Sequence, residues 1–314
     1  MMSRSEIPSP LRGIVPPMVT PLLDRDRLDR SGLERLIEHI LAGGVSGLFI
    51  LGTTGEAPGL SQRLQRELIK SVCVQVGTRV PVLVGITDPC FTESVELACV
   101  AARAGASAVV TAAPYYFLIS QAELLGYLER LAAQLPLPLF LYNMPSLTKV
   151  GFEPETVVRA ADIPGVVGLK DSSGSMDYFG RVSCMLGGRH DFSLLMGPEE
   201  LLAQALMSGA HGGVCGGANI CPKLFVELYQ AALRGDQGEV ARLHRQMLKL
   251  GEGIYRVSTS DSSYLRGLKC ALSHMGICSG FLAEPYESFG PAESELIRQA
   301  LVKIALLQEM PLES

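Results

Sequence analysis

The residue best suited to covalent chemistry is Lys170, which ends the apolar run Val166–Lys170. A lysine amine attacks a carbonyl only when it is neutral, and removal from water at the end of a buried strand favours the neutral form. Many strands also end in a solvated lysine, so the position alone leaves both interpretations open. The chemistry that this position allows is imine formation with a ketone or an aldehyde.

A phenol that could serve this chemistry is Tyr142, which ends the preceding apolar run, Leu137–Tyr142. Imine formation requires proton transfers, and a tyrosine hydroxyl can supply and remove protons. The alternative is a buried aromatic side chain whose hydroxyl bonds to the backbone. If the two runs form adjacent parallel strands, Tyr142 and Lys170 lie at the same edge of the sheet.

The segment Gly52-Thr53-Thr54-Gly55 has the composition of an anion-binding loop. Glycines let backbone N–H groups turn towards a ligand, and the two threonine hydroxyls add donors. A carboxylate suits such a loop, whereas the absence of a P-loop lysine argues against a nucleotide phosphate. A tight turn with capping threonines is the alternative. The glycine-rich segment 212–217 would similarly let the backbone approach a ligand closely.

Short apolar runs recur about every 30 residues along the chain. They are continuous rather than alternating, as expected for parallel strands that are covered on both faces. The eight predicted strands are Gly13–Val19, Gly47–Leu51, Val80–Ile86, Ala108–Ala113, Leu137–Tyr142, Val166–Lys170, Phe192–Met196 and His211–Cys215.

Helical patterns lie between these runs. Ser31 with Glu34 predicts a capping box that opens a helix, and Gly43 predicts its end. Ser120 with Glu123 predicts a second capping box. Eight strand–helix repeats indicate an α/β fold of the (β/α)8 TIM barrel type. An open doubly wound sheet is the alternative, but no G-x-G-x-x-G follows the first strand.

The expected organisation is an N-terminal extension at residues 1–12, the barrel at residues 13–235, and C-terminal helices packed on the barrel at residues 236–314. The catalytic groups of such barrels lie at the C-terminal ends of the strands. This rule directs attention to Lys170, Tyr142 and the loop at residues 52–55.

Composition excludes several function classes. The 314 residues carry a formal net charge of −5, which gives no basic footprint for nucleic acid or for anionic lipid. No apolar run is long enough to span a membrane, and residues 1–10 lack the apolar core of a signal peptide. We therefore expect a cytoplasmic protein. Neither the eight cysteines nor the five histidines have the spacing of a metal site.

Taken together, these segments resemble the dihydrodipicolinate synthase / N-acetylneuraminate lyase family, whose members are class I pyruvate-type aldolases. The resemblance extends from about Gly13 to the C-terminal helices. The matching pieces are Gly13…Pro16-Pro17…Thr20-Pro21, Gly52-Thr53-Thr54-Gly55-Glu56, Pro114-Tyr115-Tyr116, Tyr142-Asn143-x-Pro145 and Gly168-x-Lys170.

The resemblance implies roles for the catalytic residues. Lys170 matches the Schiff-base lysine, and Tyr142 matches the tyrosine that shuttles protons and holds the bound pyruvate. Thr53 matches the hydroxyl that links two tyrosines into a proton relay. Tyr116 matches the second of these tyrosines, which in the family reaches in from a neighbouring subunit. Thr53 and Thr54 match the pair that binds the substrate carboxylate.

The resemblance further implies that Val214 lines the pyruvate pocket with its backbone and that Gly197 lets the chain pass close to the ligand. Ser172 is expected to face the hydroxyl-bearing tail of the substrate. Glu199 and Glu200 could do the same, although acidic residues are also common at a helix N-terminus. The implied partner is a small-molecule 2-oxo acid, the implied assembly is a homotetramer (a dimer of dimers), and the implied reaction requires neither a metal nor an organic cofactor.

One departure separates branches of the family. The synthase pattern has an arginine two residues after the proline of Tyr-Asn-x-Pro, and this chain has Leu147 there. Leucine cannot make the bidentate contact of an arginine with a carboxylate, and Lys149 lies two positions further along. We therefore expect cleavage of a 4-hydroxy-2-oxo acid or a 2-keto-3-deoxy sugar acid to pyruvate and an aldehyde. The alternatives are dihydrodipicolinate synthase, a dehydratase that uses the same imine, and a non-catalytic sensor of oxo acids.

Overall fold

The computed structural model describes residues 6–308. The expected N-terminal extension and the predicted C-terminal region therefore lie partly outside the described residues. Contacts between Cα atoms divide the chain into two compact units. The first unit holds the chain through Val15 together with Ser46–Phe49 and Ile69–Cys215, and the second holds Pro16–Val45, Ile50–Leu68 and the chain from Gly216.

Ten strands are present in the described chain. In order they are β1 (Gly13–Ile14), β2 (Leu22–Asp24), β3 (Arg27–Leu28), β4 (Leu48–Ile50), β5 (Val82–Gly85), β6 (Ala108–Ala112), β7 (Leu139–Asn143), β8 (Val166–Asp171), β9 (Ser193–Met196) and β10 (Gly212–Gly213).

Twelve α-helices are also present in this part of the chain. In order they are α1 (Arg30–Ala42), α2 (Gln62–Val76), α3 (Phe91–Ala104), α4 (Gln121–Ala132), α5 (Pro145–Thr148), α6 (Pro154–Ala160), α7 (Met176–Met185), α8 (Leu202–Met207), α9 (Pro222–Leu233), α10 (Gln237–Tyr255), α11 (Ser263–His274) and α12 (Pro291–Gln308). Short 3₁₀ helices occupy Ala57–Gly59, Glu199–Leu201 and Gly216–Asn219.

Eight of the strands form one sheet in the order β1-β10-β9-β8-β7-β6-β5-β4. Successive strands of this sheet are thus neighbours. The pairs from β5 to β10 and the pair β1–β10 are parallel, and parallel neighbours are joined by a crossover that is usually a helix. The backbone N–H of Ser46, two residues before β4, donates to the carbonyl oxygen of Ile14 in β1 at 2.8 Å. This bond joins the two edges of the sheet. The predicted (β/α)8 barrel is confirmed, and α10, α11 and α12 are the additional C-terminal helices.

The eight barrel strands fall within or next to the eight predicted runs, but some are shorter. The first run was predicted to extend to Val19, whereas β1 ends at Ile14. Pro16 and Pro17 explain the difference because proline has no backbone N–H to donate to a strand ladder. The hairpin formed by β2 and β3, which pair antiparallel, was not predicted. Its strands are too short to show a periodic pattern.

The capping box predicted at Ser31 is wrong. Helix α1 begins at Arg30, and its N-cap is Asp29, two residues before Ser31; the Asp29 carboxylate accepts the backbone N–H of Gly32. Aspartate caps a helix as well as serine does, so the local pattern left two solutions. The second capping box is confirmed, because Ser120 and Glu123 exchange side-chain-to-backbone bonds at the start of α4.

The core of the first unit fills the interior of the sheet. A cluster of buried side chains from β4 to β9 and the residues around them includes Phe49, Leu83, Phe140, Tyr142 and Leu195. Gly168 in β8 has no room for a side chain, because an added Cβ would collide with the ring of Phe140. The glycine thus lets a large aromatic side chain from the neighbouring strand fill the barrel. Among the described helices, none has the length and apolar character needed to cross a membrane.

Candidate active site

Lys170 and Tyr142 lie side by side on adjacent strands. Strand β7 pairs with β8 in parallel, and the register places Tyr142 opposite Lys170. Both side chains are only 6% exposed although each comes from the end of a strand. Because side chains of a strand alternate between the two faces of the sheet, this register sends both into the same space.

The amine of Lys170 lies among aromatic rings. Its Nζ is 3.9 Å from the ring centroid of Tyr142 and 5.1 Å from the ring centroid of Phe49. The two rings meet edge to face, with centroids 6.4 Å apart. Ring faces attract a cation, while the apolar walls keep water away from the amine. Phe49 was missed in the sequence because it carries no reactive group, and only the tertiary structure shows that it completes this environment.

Behind Lys170, a buried carboxylate ties the ends of the two strands together. Asp171 Oδ1 accepts a hydrogen bond from Asn143 Nδ2 at 2.9 Å and from the backbone N–H of Ser173 at 3.1 Å. Its Oδ2 accepts from the Ser173 hydroxyl at 3.1 Å. Burial raises the pKa of Asp171, and these hydrogen bonds act in the opposite direction. The network holds β7 and β8 in the register that aligns Lys170 with Tyr142.

The structure brings Ser172 and Gly197 together beside this network. The backbone N–H of Ser172 donates to the Asn143 carbonyl oxygen at 2.8 Å, and that of Gly197 donates to the Asp171 carbonyl oxygen at 2.7 Å. A Cβ on Gly197 would collide with the Ser172 hydroxyl. Glycine at this position is therefore required by the close approach of the loop after β9 to the loop after β8.

Val214 and Cys215 follow strand β10. The backbone N–H of Val214 donates to the Met196 carbonyl oxygen at 2.7 Å, and its side chain belongs to the same buried cluster as Tyr142. Burial and the negative charge of Glu199 raise the pKa of the Cys215 thiol, against the opposing charge of Lys170. A thiol that resists ionisation is a poor nucleophile.

The glycine–threonine segment lies in the second unit. Thr54 is buried, and its Oγ1 is 3.1 Å from the hydroxyl of Tyr264 on α11. Thr53 is partly buried, and its carbonyl oxygen accepts the backbone N–H of Glu56 at 3.0 Å. The segment forms a tight turn. The contact with Tyr264 was not foreseen, since nothing in the local sequence points to a residue that far along the chain.

Tyr116 differs from the other predicted site residues of the first unit because it is exposed. Its side chain is 71% exposed, and its ring meets that of Phe117 edge to face at 5.0 Å. Phe117 and Leu118 are exposed to a similar extent. Within residues 6–308, no group of three or more histidine, cysteine, aspartate or glutamate side chains is arranged to hold a metal ion.

The family model described as the Dihydrodipicolinate synthetase family matches residues 10–304. The chain belongs to this family. Its relatives include a 4-hydroxy-tetrahydrodipicolinate synthase of Ralstonia nicotianae, which is 31% identical over 95% of this chain and 99% of the relative.

Solved structures agree with the assignment. A dihydrodipicolinate synthase from Bacteroides thetaiotaomicron superposes with a TM-score of 0.92 at 53% identity, over 94% of this chain and 99% of the other. A prophage protein of the dihydrodipicolinic acid synthase family from E. coli K12, solved in complex with pyruvate, gives 0.88 at 30% identity over the same shares. The predicted family, fold and class of enzyme, a class I aldolase or lyase, are confirmed.

The carboxylate of Asp171 should give the stability of the protein a characteristic pH dependence. Because burial raises its pKa above the ordinary value of 3.8, the folded protein holds this proton more tightly than the unfolded chain. The stabilisation is therefore present at acid pH and is lost as the pH rises through the folded pKa. Asp171→Asn keeps the Oδ1 acceptor but does not titrate. The free energy of unfolding of the wild type minus that of the variant should fall as the pH rises above the ordinary Asp pKa of 3.8.

Urea denaturation at a series of pH values measures this difference. Asp191→Asn is the control of opposite sign, because the hydrogen bond from Arg189 lowers the pKa of Asp191. Its difference should rise with pH below the ordinary Asp pKa of 3.8 and stay level above it. A difference for Asp171 that stays flat or rises would contradict the argument.

Proposed function

We propose that the protein is a Schiff-base-forming aldolase that cleaves a 4-hydroxy-2-oxo acid or a 2-keto-3-deoxy sugar acid to pyruvate and an aldehyde. The observation that carries the proposal is the shielded amine of Lys170, 3.9 Å from the ring centroid of Tyr142 at the C-terminal end of the barrel strands. This edge is where barrel enzymes carry their catalytic groups. Membership of the family supports the same conclusion.

The chemistry begins with attack of the Lys170 amine on the C2 ketone of the substrate. A carbinolamine forms and loses water to give an iminium ion, with Tyr142 passing the protons that these steps need. The iminium accepts the electron pair of the C3–C4 bond as this bond breaks, while Tyr142 takes the proton of the C4 hydroxyl. The aldehyde leaves, the enamine is protonated at C3, and water hydrolyses the imine to release pyruvate.

Binding of the substrate carboxylate is assigned to Thr53 and Thr54, because a turn with backbone N–H groups and hydroxyls is suited to an anion. Val214, Gly197 and Ser172 are assigned to the wall of the pocket. Gly197 has no side chain and the Val214 side chain is in the buried cluster, so the backbone of each faces the ligand in this proposal. Ser172 offers the hydroxyl for the tail of the substrate.

The choice of substrate rests on Leu147. This side chain is 53% exposed on the short helix α5, directly after the strand that carries Tyr142. An apolar group there does not bind a second carboxylate. Lys149 does not replace an arginine, because it follows α5 as the C-cap residue with a left-handed backbone, so its side chain points in a different direction from that of Leu147.

The second candidate is dihydrodipicolinate synthase itself, which condenses pyruvate with aspartate semialdehyde through the same imine. The names of the relatives favour it. A dehydratase of a deoxy-oxo sugar acid would share the imine as well. The synthase ranks second because Leu147 stands where an arginine would bind the second carboxylate.

The proposed assembly is a homotetramer in the cytoplasm, built as a dimer of dimers. Tyr116, Phe117 and Leu118 present adjacent exposed apolar side chains, and aromatic residues are enriched in interface cores. A two-fold axis through this patch would bring Tyr116 of one subunit to the site of the other.

The nucleophile is tested by Lys170→Ala. We expect turnover to fall by about 10⁴-fold or more, because loss of a covalent nucleophile removes the whole imine pathway. Borohydride added with pyruvate should reduce the imine to a stable adduct on Lys170 of the wild type, which peptide mass spectrometry locates. Lys249→Ala, an exposed lysine of α10, is the matched control and should keep both activity and adduct. An adduct on a different lysine would refute the assignment.

The substrate class is tested at Leu147. The kcat/KM for pyruvate with aspartate semialdehyde should be below that for the best 2-keto-3-deoxy sugar acid. Leu147→Arg should raise the former by about 10- to 150-fold, the range expected for a hydrogen bond to a charged group. Leu147→Met keeps an apolar side chain and serves as the control. If the wild type prefers aspartate semialdehyde to every sugar acid tested, the synthase is the correct function.

The assembly is tested by mixing two inactive proteins, Lys170→Ala and Tyr116→Phe, and allowing their subunits to exchange. In a mixed dimer, the site that holds Lys170 receives an intact Tyr116 from the other chain. Activity should therefore return, in at most one site of each mixed dimer. Exchange verified by mass without any activity, or an active monomer, would show that Tyr116 does not act across an interface.

A further inference from the structure

Glu56, the residue that follows the glycine–threonine segment, forms a buried ion pair in the second unit. Its carboxylate Oε1 lies 2.5 Å from Nζ of Lys269 on α11, and the two side chains are 2% and 1% exposed. Glu56 Oε2 accepts the backbone N–H of Ala283 at 2.7 Å, and Lys269 Nζ donates to the carbonyl oxygen of Phe281 at 2.7 Å. Each charge therefore has its opposite charge and one backbone group as partners.

A buried ion pair is not by itself a gain in stability, because an apolar pair of similar volume often serves as well. Both side chains of the Glu56–Lys269 pair are buried, so the pair does not contribute charge to the protein surface. The contribution of the pair is therefore the geometry that it imposes on the chain around it.

That geometry is strained next to the threonines. Leu51 and Glu56 have φ angles of 56° and 58°, the left-handed region that side chains other than glycine rarely adopt. In the described chain, only Lys149 shares this property. Two of the three positions thus flank Gly52–Gly55. Residues keep such angles only where the surrounding structure holds them, and the buried bonds of Glu56 supply such a hold.

Helix α11 contacts the same segment at a second point. The Tyr264 hydroxyl is 3.1 Å from Thr54 Oγ1. A Cβ on Gly216 would collide with this hydroxyl, so the absence of a side chain at Gly216 makes room for it. One helix therefore fixes the segment through Thr54 and through Glu56.

We propose that Glu56 and Lys269 are positioning residues that hold Gly52–Gly55 in the conformation that binds the substrate carboxylate. The inference rests on the proposed function, which assigns the carboxylate to Thr53 and Thr54. Without the ion pair, the left-handed turn relaxes and the donors lose their common direction. The concentration of 2-oxo acid needed for imine formation then rises. The amount of imine that Lys170 forms at a saturating concentration stays near that of the wild type.

The experiment measures the borohydride-trapped pyruvate adduct on Lys170 as a function of pyruvate concentration. Glu56→Gln keeps the acceptor for Ala283 but cannot form the ion pair, and Lys269→Met removes the cation. Each should raise the half-saturating pyruvate concentration by about tenfold, the effect of losing a hydrogen bond to a charged group. The amount of adduct at saturation should stay near that of the wild type.

The double variant Glu56→Gln/Lys269→Met leaves no unpaired buried charge, so it keeps the test available if a single variant fails to fold. It should show the same rise. Leu243→Ala, a truncation of a buried leucine in α10, is the control for a general loss of stability, with the denaturation midpoint of each variant measured in parallel. Its half-saturating pyruvate concentration should stay within about twofold of that of the wild type.

The outcomes separate the two proposals. A wild type that forms no adduct with pyruvate overturns the proposed function and this inference with it. The positioning role alone is overturned if the wild type forms the adduct and the folded variants have the same half-saturating pyruvate concentration as the wild type. A rise in Leu243→Ala as large as in the Glu56 and Lys269 variants would also overturn it, because the effect would then follow stability rather than the ion pair.

Discussion

The register between strands β7 and β8 is the constraint on which the site depends. The sheet places Tyr142 opposite Lys170, and the bond from Asn143 to Asp171 fixes that alignment one residue further on. A slip by one residue would turn Lys170 to the other face of the sheet. The pair Asn143–Asp171 therefore belongs to the functional architecture even though neither side chain is assigned a chemical step.

Close packing at the strand ends follows from the same register. Because β9 pairs with β8, the loop that begins at Gly197 passes directly over Ser172, and only glycine fits there. Glycine is thus required at positions 168 and 197 for different reasons. Gly168 makes room for an aromatic ring in the core, and Gly197 lets two loops approach each other closely. Both make the walls of the proposed pocket rigid, which is the condition for holding reacting groups in fixed positions.

Much of the fold could be predicted because the barrel strands are buried on both faces, and their apolar runs stand out wherever they occur. The first and last residues of helices and strands were predicted less accurately than the elements themselves. Asp29 rather than Ser31 caps α1, because several polar residues near a helix start can accept the same backbone N–H. Strand β1 was predicted too long, although Pro16 and Pro17 already carried the signal that ends it.

The sequence by itself determined the candidate reactive groups, since the type and order of Lys170, Tyr142 and the glycine–threonine segment are local features that match a family pattern. The tertiary structure alone decided their surroundings. Phe49 beside the amine, and the bond of Glu56 to Ala283 across 227 positions of the chain, join residues that share no local pattern. Such contacts are set by the path of the chain through the fold, and no periodicity or spacing in the sequence encodes them.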